Sequence, residues 1–312
     1  EYRSLGKHSF GGSAFISNVL LWREAGYFDS PNKPLLHLWS LAVEEQYYLV
    51  WPLAAIVIWR RRWPLQSVLV SFIAVSFALN VWSVSHSNST AAFYFPFSRF
   101  WEIISGALLA AIENQRSASM RAAPSRKAVR ELAAVAGLLL IIITLASVDS
   151  TTPWPGWWGA APVTAAVLLI GAGPSTRINR RILANSVMVG VGLVSYPLYL
   201  WHWPLIVGAK IVYGTALSTL AMSIIVGVSL ILAVATYRVI EIPIRFGARK
   251  RRSASILLAG VGVTAVVGLA VHAGIVQPRL HRAAASLDSA QTDREYPTDG
   301  GLKTFGGELV ID

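Results

Sequence analysis

The sequence predicts an all-α, polytopic membrane protein, and three observations carry that expectation. Apolar runs long enough to cross a bilayer recur along the 312 residues, which have a mean hydropathy of +0.52 and only 14% charged side chains. Lys and Arg gather in alternate connections between those runs. Two carboxylates sit inside one run, where a protein interior or a water-filled cavity, and not lipid, has to accommodate them. About eight transmembrane helices are expected, followed by an exported C-terminal linker.

Ser9 to Trp22 is apolar but too short to span, so it predicts a partial or interfacial helix, with a polar loop reaching Asn32. The first span runs from Leu36 to Trp59, whose 24 residues cross a core of about 30 Å with some tilt. Further spans are predicted over Leu65 to Ser83, Ala91 to Glu113, Glu131 to Val148 and Trp157 to Gly173. The last three are Ile182 to about Val207, Thr215 to Val239 and Ser255 to Ile275. From Gln277 to Asp312 the apolar periodicity stops and polar residues take over, as in a linker.

Sixteen Lys and Arg residues fall in four connections, after spans one, three, five and seven; the three intervening connections hold only Lys210. The positive-inside rule then makes the basic turns cytoplasmic and puts the His37 end of the first span, and the C-terminal tail, outside. The net charge of +11 is an orientation signal with contacts to anionic lipid or substrate, and gives no reason to expect nucleic acid. The chain opens at Glu1 without a methionine and is expected to be part of a longer one.

Glu44 and Glu45 lie within the first span, about 100° apart on a helix, so they cannot share a face. His37, Leu41, Glu44 and Tyr48 form one stripe and Leu38, Leu41, Glu45 and Leu49 the next. One glutamate is expected to face chemistry or substrate and the other to tie the helix to a neighbour. A buried structural pair is the alternative for both.

Three further groups stand out. Arg99 and Glu102 have ion-pair spacing, with Gly106 a turn further. They form either a self-satisfied pair or a site where the planar guanidinium holds a phosphate or carboxylate. In the stretch around Pro197 and Pro204, where a kink or helix start is expected, Ser195, Tyr196, Tyr199, Trp201 and His202 form either a substrate-binding wall or an interfacial aromatic belt. Arg238 and Glu241, three apart before Pro243, predict a structural clamp. No cysteine is present, and no residue pattern calls for a metal. Phosphate-loop, HExxH, dinucleotide-turn and GxSxG motifs are all missing, which leaves ATP hydrolysis, zinc proteolysis and hydride transfer unsupported.

Taken together, LLHLWSLAVEEQYYLVWP (Leu35 to Pro52), SRFWEIISGALLA (Ser98 to Ala110), SYPLYLWHWP (Ser195 to Pro204) and YRVIEIPIR (Tyr237 to Arg245) resemble the membrane acyltransferase-3 family. They are similar to its O-acetylases of bacterial surface polysaccharide, in the branch that often carries an exported SGNH domain. The resemblance implies an acyltransferase-3 membrane domain over residues 1–275, incomplete at its N-terminus, and a linker over 276–312 leading to such a domain. It implies transfer of an acetyl group from cytoplasmic acetyl-CoA to a hydroxyl of a cell-surface glycan, such as O-antigen or peptidoglycan, by a multi-pass protein of the bacterial inner membrane. Membrane lipid and the glycan acceptor are the partners. His37, Ser40, Glu44, Glu45 and Gln46 match the signature helix, as do Arg99 and Glu102, and Ser195, Tyr199 and His202 in the later motif; the main catalytic histidine is expected upstream of residue 1. The residues alone leave a second class open, a non-catalytic transporter or flippase of a lipid-linked sugar, because intramembrane carboxylates and a proline-bearing helix also suit translocation.

Overall fold

The computed structural model describes residues 2–24, 33–86, 89–115, 125–149, 151–214, 216–246 and 250–276. Every regular element among them is helical, and five helices are long and apolar enough to cross a membrane. This is an all-α, multi-pass membrane fold. The linker expected from Gln277 onward lies outside the described residues.

In chain order the α-helices are α1 (Tyr2–Ser13), α2 (Ser17–Arg23), α3 (Leu38–Arg60), α4 (Leu65–Ser85), α5 (Ser89–Tyr94) and α6 (Phe100–Gln115). They continue with α7 (Ser125–Ser147), α8 (Ala160–Ala172), α9 (Ser186–Tyr213), α10 (Thr219–Thr236), α11 (Ile242–Phe246) and α12 (Lys250–His272). The five spanning segments are α3, α4, most of α7, the run from α10 through α11, and most of α12.

The remaining predicted spans depart from simple crossings. The Ala91 to Glu113 run is broken into α5, a 3-10 turn at Pro96–Ser98 and α6. Pro96 cannot donate to a continuing helix, and the exposed carbonyls are taken up locally. Ser98 Oγ bonds Ala92 O at 3.0 Å and Phe95 O at 2.7 Å, while Asn80 of α4 donates to Ser98 O at 3.1 Å. Ser76, also on α4, donates to Phe97 O and accepts from Trp101 N. The break is therefore built, and it sets Arg99 at the mouth of α6. The Trp157 to Gly173 run yields only the 13 residues of α8 after a 3-10 turn. α9 has 28 residues and runs through both Pro197 and Pro204 instead of beginning at either. Its Tyr, His, Trp and Pro residues keep it off the set of strongly apolar spans. Its start is fixed by Asn185, whose side chain accepts from Val187 N and Met188 N.

The segment Ser9 to Trp22 forms parts of two helices, not one. His8 meets Glu24 and Gly11 lies against Leu20, so α1 and α2 fold back as an antiparallel hairpin. A Cβ on Gly11 would stand 2.4 Å from Leu20 Cδ1, so the glycine lets Leu20 lie against α1 without shifting its side chain. α1 also packs on α12, where Gly6 and Gly268 let the backbones meet. The main apolar cluster includes Leu21, Leu36, Trp39, Val43, Tyr47, Leu69, Tyr94, Phe100 and Ile104, joining α2, α3, α4, α5 and α6.

Candidate active site

α3 divides its residues between two neighbours. Trp39, Val43 and Tyr47 pack toward Tyr94, Phe100 and Ile104, whereas His37 and Ser40 turn to α9. The second contact builds a polar groove. Ser40 Oγ lies 2.7 Å from the Tyr199 hydroxyl, which itself donates to the backbone oxygen of His37. A phenol has one proton, so the Ser40 hydroxyl must be the donor to Tyr199. The His37 ring centroid is 5.1 Å from that of Tyr199 and 6.0 Å from that of His202. Trp203 closes the top by donating to Lys33 O at 2.9 Å.

His37 is 7% exposed, no side chain among the described residues hydrogen-bonds its ring, and the Leu200 backbone faces it from α9. A buried imidazole whose N–H faces a carbonyl keeps the lone pair of its other nitrogen, which is what a proton acceptor needs. Two turns into α3, Glu44 and Glu45 are exposed, as is Tyr196 on α9, and both carboxylates act on Tyr196 electrostatically, as does Glu241. The order His37, Ser40, Glu44 on α3 thus runs against His202, Tyr199, Tyr196 on the antiparallel α9.

Other expected site residues are used elsewhere. Gln46 donates to Phe15 O at 2.7 Å and to Asn18 Oδ1 at 2.9 Å, so its amide anchors the α1–α2 hairpin. Asn18 in turn donates to Tyr94 O. Trp201 points to α10, donating to Thr236 Oγ1 at 3.0 Å, and Ser195 Oγ bonds only the carbonyl of Gly192 in its own helix. Arg99 and Glu102 form the expected pair, with Nε 3.1 Å from Oε1, but on the Trp39 side of α3, away from His37. The Arg238–Glu241 clamp is not formed. Glu241 accepts from Arg245 Nη1 at 2.9 Å instead, because Tyr237–Glu241 is a π-turn whose wider winding takes residues three apart off a common face.

Sequence reasoning missed one charged group beside the groove. Glu24 accepts from Lys7 and Lys33, and His8, 4% exposed, lies 3.0 Å from its second oxygen. Burial pushes the Glu24 carboxyl up, but the hydrogen bonds from Lys33 and Lys7 outweigh it and hold the acid at about 2. The partners are 9, 16 and 17 residues away, so no local spacing announces them.

The model of the family described as "Acyltransferase domain" matches residues 4–238. Among curated proteins, the peptidoglycan O-acetyltransferase OatA of Listeria monocytogenes is 27% identical over 74% of this chain and 39% of its own length. The putative membrane-bound transacylase BcsY of Komagataeibacter xylinus is 26% identical over 83% of this chain and 66% of its own. An O-acetyltransferase OatA of Staphylococcus aureus is 28% identical over 68% and 36%. The chain thus spans between about a third and two thirds of the relatives it matches. No solved structure matches it.

Proposed function

Because the chain belongs to the acyltransferase-3 family, we propose that it forms the membrane domain of an O-acyltransferase acting on a hydroxyl of a cell-surface glycan, with the α3–α9 groove as the acceptor side of its site. The observation that carries this reading is the buried His37 imidazole, which no side chain among the described residues hydrogen-bonds, backed by the Ser40–Tyr199 hydrogen bond. The names of the relatives, two O-acetyltransferases and a transacylase, support an acetyl group as the cargo.

A sugar hydroxyl is a poor nucleophile at neutral pH and needs a positioned base. In this reading the imidazole takes the hydroxyl proton as the oxygen attacks the acetyl carbonyl of acetyl-CoA. The new C–O bond replaces the C–S bond, and the thiolate leaves to be protonated. The family resemblance adds a further catalytic histidine upstream, with His37 on the acceptor side. Tyr199 holds the backbone of His37 and Ser40 in place, and Glu44 or Glu45 orients the upstream histidine by fixing its imidazole tautomer. The basic turns between spans face the cytoplasm of the bacterial inner membrane, which puts the His37 end of α3 on the opposite side.

The test is the base-labile acetate of envelope glycan in a strain lacking the gene, complemented with the full-length protein or with His37→Ala. The reading expects an intact glycan at the surface with its acetate lost in the variant. Unchanged acetate content with less glycan exported would replace it with a transporter.

A further inference from the structure

Arg99 and Glu102 stand at one end of a cavity of about 410 Å³ between α6 and α8, a volume in the range of small-molecule sites, about 300–1,000 Å³. The two helices run parallel here: Gly159 and Trp154 stand near Arg99, and a Cβ on Gly171 would be 3.2 Å from Leu109. The cavity therefore has a charged head and an apolar length that extends over the two turns from Glu102 to Leu109, roughly 10 Å at 1.5 Å per residue. A second apolar cavity of about 350 Å³ adjoins it, sharing Leu109, Val163 and Val167.

Three details point to an occupant. Arg99 is enclosed, its side chain 16% exposed and its guanidinium over the Trp39 and Phe93 rings at 5.5 and 5.6 Å, yet Nη1 has no hydrogen-bond partner among the described residues. A buried guanidinium donor without an acceptor is costly, and phosphate is the acceptor its geometry fits. Glu102, 26% exposed, places a carboxylate beside it, which would repel a purely anionic headgroup. Finally, a Cβ on Gly106 would meet nothing within 4 Å, so packing does not require glycine there; its consequence is open space in the cavity.

We propose that the α6–α8 cavity binds a zwitterionic, two-chain phospholipid, with its phosphate on Arg99, its ammonium on Glu102 and its hydrocarbon between the helices. The opposed charges select a headgroup that carries both signs, and the paired apolar cavities suit two chains better than one.

The test is native mass spectrometry of the full-length protein released from nanodiscs of equimolar phosphatidylethanolamine and phosphatidylglycerol. This reads lipid retention without any transfer assay, so it stands apart from the proposed acyl transfer. Wild type should retain phosphatidylethanolamine about fivefold over phosphatidylglycerol, the ratio that roughly 1 kcal/mol supplies. Glu102→Gln should reverse the preference, and Gly106→Phe should abolish retention of both with the melting temperature unchanged. If Gly106→Phe does not insert, Ala166→Leu narrows the cavity from the facing helix and should cut retention in the same way. Preference for phosphatidylglycerol in wild type, retention undiminished by the filled cavity, or no retained lipid would each overturn the proposal.

Discussion

Ser40 on α3 and Tyr199 on α9, 159 residues apart in sequence, meet hydroxyl to hydroxyl at 2.7 Å, and the same phenol donates onward to the backbone of His37. One hydrogen-bonded chain thereby joins two of the motifs that carry the family resemblance. It orders the turn on which the buried imidazole sits.

Removing the phenol tests that chain. Tyr199→Phe leaves the ring contact with His37 but strands the Ser40 hydroxyl and the His37 carbonyl. Glycan acetylation should fall by at least about tenfold, and stability by about 1–2 kcal/mol. Ser195→Ala, which deletes only a bond to Gly192 O in its own helix, should leave both unchanged. Equal acetylation by the two variants would remove Tyr199 from the site.

Gln46 should behave as a structural residue. Gln46→Leu withdraws partners from the carbonyl of Phe15 and from Asn18, which is fully buried. A cost of about 2–3 kcal/mol is expected, read as a lower melting temperature in detergent. Lost acetylation with an unchanged melting temperature would instead place Gln46 against substrate.

The Glu24 cluster makes stability depend on pH. Its carboxyl titrates at about 2, below the ordinary value of 4.5, so its stabilisation is fully present above about pH 4.5 and is lost as pH falls toward 2. Glu24→Gln should melt lower than wild type at pH 7, and the gap should narrow as pH falls from about 4.5 toward 2. A gap that stays constant across that window would show that the lysine partners do not act through charge.

The π-turn after α10 reassigns a partner. Arg245→Ala should weaken the α11 end by no more than about 0.5 kcal/mol, as exposed pairs do, and Glu241→Gln should add nothing in that background. Arg238→Ala should couple to neither, which a double-mutant cycle reads directly.

What the sequence made legible follows from the range of each interaction. The helical class came through because an apolar run long enough to span is visible residue by residue, and the Arg99–Glu102 pair because both partners lie on one helical turn. The 3-10 break before Arg99 was half visible in Pro96; the Ser76 and Asn80 groups that satisfy it come from another helix and were not. The clamp at Arg238 failed for the opposite reason, since the helical period it assumed is locally widened. The division between Arg99 and His37 was not visible, because it depends on Trp39 and Ser40 projecting about 100° apart and meeting different neighbours. The His8–Glu24 contact depends on a chain reversal near Phe15, a non-glycine residue at φ 55, which nothing in the apolar pattern marks.

The most direct test of acyl transfer through the groove uses membrane vesicles carrying the full-length protein, supplied with acetyl-CoA labelled in its acetyl group. Label should enter the glycan as base-labile ester in wild type and fall by about a hundredfold or more in His37→Ala, the scale of a lost general base. Label entering the glycan equally in both would contradict the account and take His37 out of the chemistry.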